Sequence, residues 1–141
     1  MQPSIRYPDW DRRLLAGIDA CHDRPFAWGR WDCCLFAADL VQAMTGWDPA
    51  EVLRGTYRTE RGAIIVTANH GGIKRMISDL LDTQPQSPPT LGRGDVVLLH
   101  PLALMKMEQI GVCTGDAAVV ASDKGVMYRP MSSALCGWRI D

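Results

Sequence analysis

The chain changes its hydrophobic period part-way along, and that change limits it to one class of fold. Up to about residue 82 apolar side chains recur at helical spacing, whereas beyond about residue 94 they fall in short runs divided by turn residues. Trp10, Leu14, Ile18 and Cys21 stand at i, i+4, i+8 and i+11, one face of a helix over about Asp9 to His22. Pro25 and Gly29 end that pattern. Asp32 has the side chain of an N-cap, and Cys33, Ala37, Leu40, Val41 and Met44 line one face of a second helix. Gly46 closes it as a C′ residue, with Pro49 just beyond. Residues 52–60 are polar and irregular. Ile64, Ile65 and Ala68 predict a short helix from about Arg61 to Asn69. After Gly71-Gly72, the series Ile73, Met76, Ile77, Leu80 and Leu81 is the clearest amphipathic repeat in the chain.

Thr83 to Thr90 holds three prolines and no apolar run, which predicts a connecting loop over about 83–91. Beyond it, Asp95–His100, Gln109–Thr114, Ala117–Ser122, Gly125–Arg129 and Cys136–Ile140 read as strands of an antiparallel sheet. Helices over about 8–82 followed by strands over about 94–140 predict an α+β fold, with N-terminal helices packed on a C-terminal antiparallel β-sheet. The 141 residues fit a single domain, 1–141.

Composition narrows the partners. A net charge of −1 gives no basic excess for nucleic acid or a membrane surface. No run of about 20 apolar residues is present, so no membrane insertion is expected. The first eleven residues carry Arg6, Asp9 and Asp11 without an apolar core, unlike a signal peptide. Five cysteines at irregular positions do not form a disulfide framework and suit a reducing compartment.

Cys33 carries the chemical interest. A thiol attacks as its thiolate, and the first turn of a helix favours negative charge through unpaired N–H groups that also suit an oxyanion. The plainer alternative is a small buried apolar residue, because free cysteine is among the most buried types. A nucleophile needs a base, and the histidines are His22, His70 and His100. His22 and His70 stand at helix ends. His100 closes a predicted strand and is the one candidate base, although Pro101 after it favours a strand terminator. Cys33 and Cys34 are adjacent and have no C-x-x-C partner, so no metal site and no cofactor is expected. Trp28 and Trp31 flank Cys33 in a loop and are the tryptophans expected to serve as exposed interaction anchors.

Trp28 to Val41, Gly94-Asp95-Val96-Val97-Leu98 and Ile110-Gly111-Val112 together resemble the NlpC-type papain-like cysteine peptidases. The chain is more closely similar to a small group of bacteriophage tail proteins. These share Trp28-Gly29 ahead of Asp32-Cys33, Arg54-Gly55-x-Tyr57, Gly71-Gly72 and a late tryptophan, here Trp138. The resemblance implies a papain-like NlpC-type domain with Cys33 in the nucleophile position. It places the catalytic histidine just before Ile110-Gly111-Val112, where this chain has Gln109, and the orienting residue near Val119 or Val120. An amide has no nitrogen that titrates near neutral pH, so Gln109 marks a degenerate catalytic position. The expectation is a structural component of a phage tail, at the tip or baseplate, assembled in the host cytoplasm and contacting other tail proteins. The alternatives are an active peptidoglycan-degrading cysteine peptidase or amidase, with His100 as its base, and a tail assembly factor.

Overall fold

The structure, a computed structural model, describes residues 5–103 and 106–141. Four α-helices come first: α1 (Trp10–Ala20), α2 (Cys33–Thr45), α3 (Glu60–Asn69) and α4 (Ile73–Leu81). Five strands follow: β1 (Val96–Leu99), β2 (Gln109–Cys113), β3 (Ala117–Ser122), β4 (Gly125–Pro130) and β5 (Ala134–Trp138). The strands form one antiparallel sheet in the order β4-β3-β2-β1-β5, so β5 returns across the sheet to lie beside β1. The molecule is therefore α+β, as the change of period predicts.

Strand alternation sorts the sheet residues onto two faces. Val96, Leu98, Ile110, Val112, Val119, Ala121, Cys136 and Trp138 pack with Leu14, Ile18 and the buried side of α2 in the main core. Val97, Leu99, Cys113, Ala118 and Val120 form a smaller cluster on the opposite face, covered by Leu91, Met127, Met131 and Ala134. Trp138 is fully buried, and its Nε1 donates to Ser78 Oγ at 3.0 Å, which ties α4 to β5.

Two differences from the predicted elements have local causes. β5 ends at Trp138, short of the predicted Ile140, because the Ile140 N–H leaves the ladder and donates to Asp95 Oδ1 at 2.9 Å. The proline-rich loop is also more ordered than its composition suggests. Pro88–Thr90 forms a 3-10 turn, and Gln86 bridges Gly137 at the edge of β5.

Asp95 is the hub of this end of the molecule and is 3% exposed. Besides Ile140, it accepts from Arg6 Nη2 at 2.9 Å and from Gly92 N at 2.8 Å. Arg6 N in turn donates to Asp141 O at 2.9 Å. The Gly94-Asp95 pair that opens β1 thus has a structural duty: it clasps the two ends of the described chain.

Candidate functional site

Asp32 organises the segment around Cys33. Its backbone is extended (φ −122°, ψ −175°), and Oδ1 accepts from Leu35 N at 2.9 Å, so it caps α2 as its residue type predicts. Oδ2 accepts from Gly29 N at 3.0 Å and from the Tyr57 hydroxyl at 2.5 Å. The carboxylate is 1% exposed, yet three donors compensate its loss of water. Burial, followed by the charge of Asp32, pushes the Tyr57 phenol far above its usual range, so it remains a donor. Gly29 adopts φ +81°, and a Cβ there would sit 1.8 Å from the Tyr57 carbonyl oxygen, so no other residue fits this turn. Nearby, Arg54 reaches Asp48 at 2.7 Å and Asp39 on α2 at 2.7 Å. The Arg54-Gly55-x-Tyr57 motif therefore fastens its loop to α2 at two points.

This frame places Cys33 at the first position of α2, half-buried, at the floor of a cleft of about 350 Å³. Phe26, Trp28, Leu102, Met107 and Met127 supply its apolar walls. Phe26 and Trp28 meet edge to face, with ring centroids 4.8 Å apart. The cleft opens where β2 and β3 separate. Their ladder holds only the pairs Val112↔Val119 and Cys113↔Ala118. Continued in register it would join Ile110 to Ala121, but those residues do not pair. The Ile110 backbone interacts with the Cys33 sulfur at this point.

The thiol is not activated. Burial pushes its pKa up from 9.0 to about 11, and the nearby Asp32 charge adds to the rise, while the Ile110 backbone pulls only partly the other way. Cys34, beside it, is also raised well above the ordinary value by burial and by Cys33. The helix N-terminus favours a thiolate, but desolvation outweighs it here. This arrangement sets an alkaline limit on stability. The unfolded thiol ionises from about pH 9, whereas the folded one holds its proton to about 11, so the folded state's advantage is complete below pH 9 and lost between 9 and 11. Across that window Cys33→Ala should flatten the fall in unfolding free energy by close to 1.4 kcal/mol per pH unit, read by denaturant titration at each pH. An unchanged slope would mean that Cys33 titrates normally.

The structure does not bring the expected base to this cysteine. His100 is exposed just after β1, its backbone is held by Ser133 and Arg129, and it contributes nothing to the cleft. His22 and His70 are exposed near the ends of α1 and α3, and His70 Nδ1 contacts Val66 O at 2.9 Å. Gln109 touches the cleft, but it pairs with Leu99, whose side chain lies on the sheet face away from α2. Its Oε1 accepts from Arg129 Nη1 at 2.9 Å, and the residue is 6% exposed. Gln109→His should therefore leave the protein without Cys33-dependent peptidase activity, because the imidazole replaces the Arg129 partner instead of approaching the sulfur. Peptide release by this single variant would overturn that geometry.

The two tryptophans separate. Trp28 lines the cleft and is half-buried. Trp31, expected as an exposed anchor, is 0% exposed and packs on Phe36 at 5.1 Å. The cause is the tight turn in which Trp31 N donates to Ala27 O at 2.8 Å, sending Trp31 into the core and leaving Trp28 outside. Val119 and Val120 are both fully buried, on opposite faces of the sheet. All five cysteines are free thiols. Among the described residues no three His, Cys, Asp or Glu side chains assemble as a metal site, and no helix is long and apolar enough to cross a membrane.

A family model described as a domain of unknown function, DUF6950, matches residues 5–140. The chain belongs to the DUF6950 family. No curated protein matches it. The matched span takes in every helix and strand of the DUF6950 domain, together with the Asp32–Tyr57 clamp, the Asp95 hub and the cleft. Sequence reasoning missed Phe26, Glu108, Asp123 and Arg129. It had Tyr57 only as part of a motif, because Asp32 and Tyr57 meet across 25 residues without any shared periodicity.

Proposed function

We propose that this DUF6950 domain is a non-catalytic structural component of a bacteriophage tail, at the tip or baseplate, built on an NlpC-type papain-like fold and acting through protein–protein contacts. The observation that carries the reading is the state of Cys33: a thiol raised to about 11 in a cleft with no histidine among its lining residues. Among the described residues, the carboxyl side chains in that lining are those of Glu108 and Asp123, and no arginine, lysine or histidine joins them. A carboxylate is a far weaker base than a thiolate and does not take the proton from the thiol. General-base assistance worth about 10²–10⁴-fold is thereby lost. The Asp32-Cys33 helix start packed against an antiparallel sheet supports the papain-like ancestry. The tail assignment rests on the sequence resemblance.

One observation favours the peptidase alternative: Cys33 faces an open cleft beside Trp28, where a substrate could reach it. The test is to incubate purified protein with peptidoglycan and follow peptide release, with Cys33→Ala as control. No release above the control is expected. Release that disappears in the variant would refute the non-catalytic reading. Mass spectrometry of purified tailed particles encoding this chain should find it, and its absence would remove the virion assignment.

A further inference from the structure

Among the described residues Arg129 is a buried cation with no anion beside it. We propose that its guanidinium is the receptor for a carboxylate group brought by a ligand, on the sheet face away from α2.

Burial supplies the first argument. Arg129 pairs with Ala118 across β3 and β4, and Ala118 belongs to the apolar cluster on that face. Met127, two residues back along β4, packs against the same cluster. In these surroundings the arginine is 7% exposed. A charge taken out of water needs partners in place of it. The other buried charges have them, since Asp32 and Asp95 each accept from three donors.

The bonds of Arg129 supply the second. Its Nη1 donates to His100 O and, at 2.9 Å, to Gln109 Oε1. Both acceptors are uncharged, and together they occupy the two Nη1 hydrogens. Among the described residues Nε and Nη2 have no partner, and Arg129 joins no ion pair. Arg12, Arg24, Arg30, Arg58 and Arg61 also stand outside those ion pairs, but all five are exposed and keep their water. Arg129 alone combines burial with a missing counter-charge. Gln109 suits this state, because a neutral oxygen fixes Nη1 without cancelling the charge.

The free edge supplies the third. Among the described residues the side-chain nitrogens sealed from solvent without a partner are Arg6 Nε and Trp31 Nε1. The Arg129 nitrogens are not among them, so its unpartnered Nε and Nη2 reach solvent. That edge donates two parallel N–H bonds to the two oxygens of one carboxylate. The apolar bed around it strengthens such a contact by lowering the local dielectric. One charge and one edge match one carboxylate. A phosphate dianion brings a second charge and further oxygens, for which the acceptors His100 O and Gln109 Oε1 offer nothing.

The test uses the full chain, isotope-labelled, titrated with sodium acetate at constant ionic strength while backbone amide and arginine Nε–H resonances are followed. Saturable shifts are expected at Arg129 and Gln109, with a midpoint on the order of 10–100 mM for one charge-assisted pair. Sodium chloride should produce none. The acetylated and amidated peptide Gly-Asp-Gly and its asparagine counterpart distinguish the sources. Shifts with the aspartate peptide assign the carboxylate to a partner polypeptide, and shifts with acetate alone assign it to a small acid. Gln109→Glu sets a counter-charge against the guanidinium and should weaken acetate binding about tenfold, its own spectrum reporting that the fold is kept. Arg129→Lys, which keeps the charge and loses the planar edge, should weaken it similarly. Shifts no larger with acetate than with chloride would overturn the proposal, as would undiminished acetate binding by Gln109→Glu. Inorganic phosphate binding more tightly than acetate would overturn the carboxylate assignment. None of these results depends on whether Cys33 cleaves anything, so this proposal and the non-catalytic reading fail separately.

Discussion

Asp32→Ala is expected to destabilise the domain by about 3–5 kcal/mol. Loss of an N-cap is worth about 1 kcal/mol on its own. The larger part comes from the donors left behind, since Gly29 N and the Tyr57 hydroxyl both point at the missing carboxylate. Each buried donor without an acceptor costs about 1–3 kcal/mol, and relief from desolvating the charge offsets part of the sum. Against a typical domain stability of about 5–15 kcal/mol, such a loss is severe. Asp32→Asn keeps an acceptor for some of these donors and should cost less. Tyr57→Phe, which removes one donor and leaves Asp32 with two others, should cost about 1 kcal/mol. Urea unfolding with an unchanged slope checks this order. If Asp32→Ala cost no more than a bare cap, the clamp would be a geometric coincidence without energetic weight.

The second large effect is kinetic. With its pKa near 11 instead of 9.0, Cys33 exposes about 100-fold less thiolate at neutral pH. A more basic thiolate is the better nucleophile, and a Brønsted slope of about 0.4–0.5 returns roughly 6- to 10-fold of that. Alkylation of Cys33 by iodoacetamide should therefore run about 10- to 15-fold slower in the folded protein than in the protein unfolded in guanidinium. Peptide mapping by mass spectrometry distinguishes Cys33 from the other four cysteines. A folded-state rate above the unfolded one would reveal an activating partner and return the peptidase reading to first place.

What could be read in advance follows the range of the forces involved. The helices α1, α2 and α4 repeat apolar residues on one face, and Asp32 announces the start of α2 by residue type, because both are contacts within a few residues. The strands announce themselves by spacing. The end of β5 was misplaced because Ile140 continues the apolar pattern while its N–H is claimed by Asp95, 45 residues away. Trp28 and Trp31 lie three residues apart in a loop, where no period decides which of them turns inward; the Ala27–Trp31 bridge decides it. The parting of β2 from β3 left no trace in either strand, since Ile110 and Ala121 carry the same apolar character as their paired neighbours. Gln109 illustrates the same limit. The motif locates it in the chain, but only the register against Leu99 shows which way it points.

The clasp at Asp95 determines how this domain answers to a mechanical load. Arg6 and Asp141 are hydrogen-bonded to each other, and both ends are gathered onto one buried carboxylate. Tension applied between those two points pulls them directly apart, so it acts first on the bonds around Asp95 and reaches β1 and β5 only after that knot has opened. The sheet and the cleft beyond it lie outside the line of force. A domain strung between neighbours at these two positions would yield at its fastening before losing the shape of its sheet and cleft.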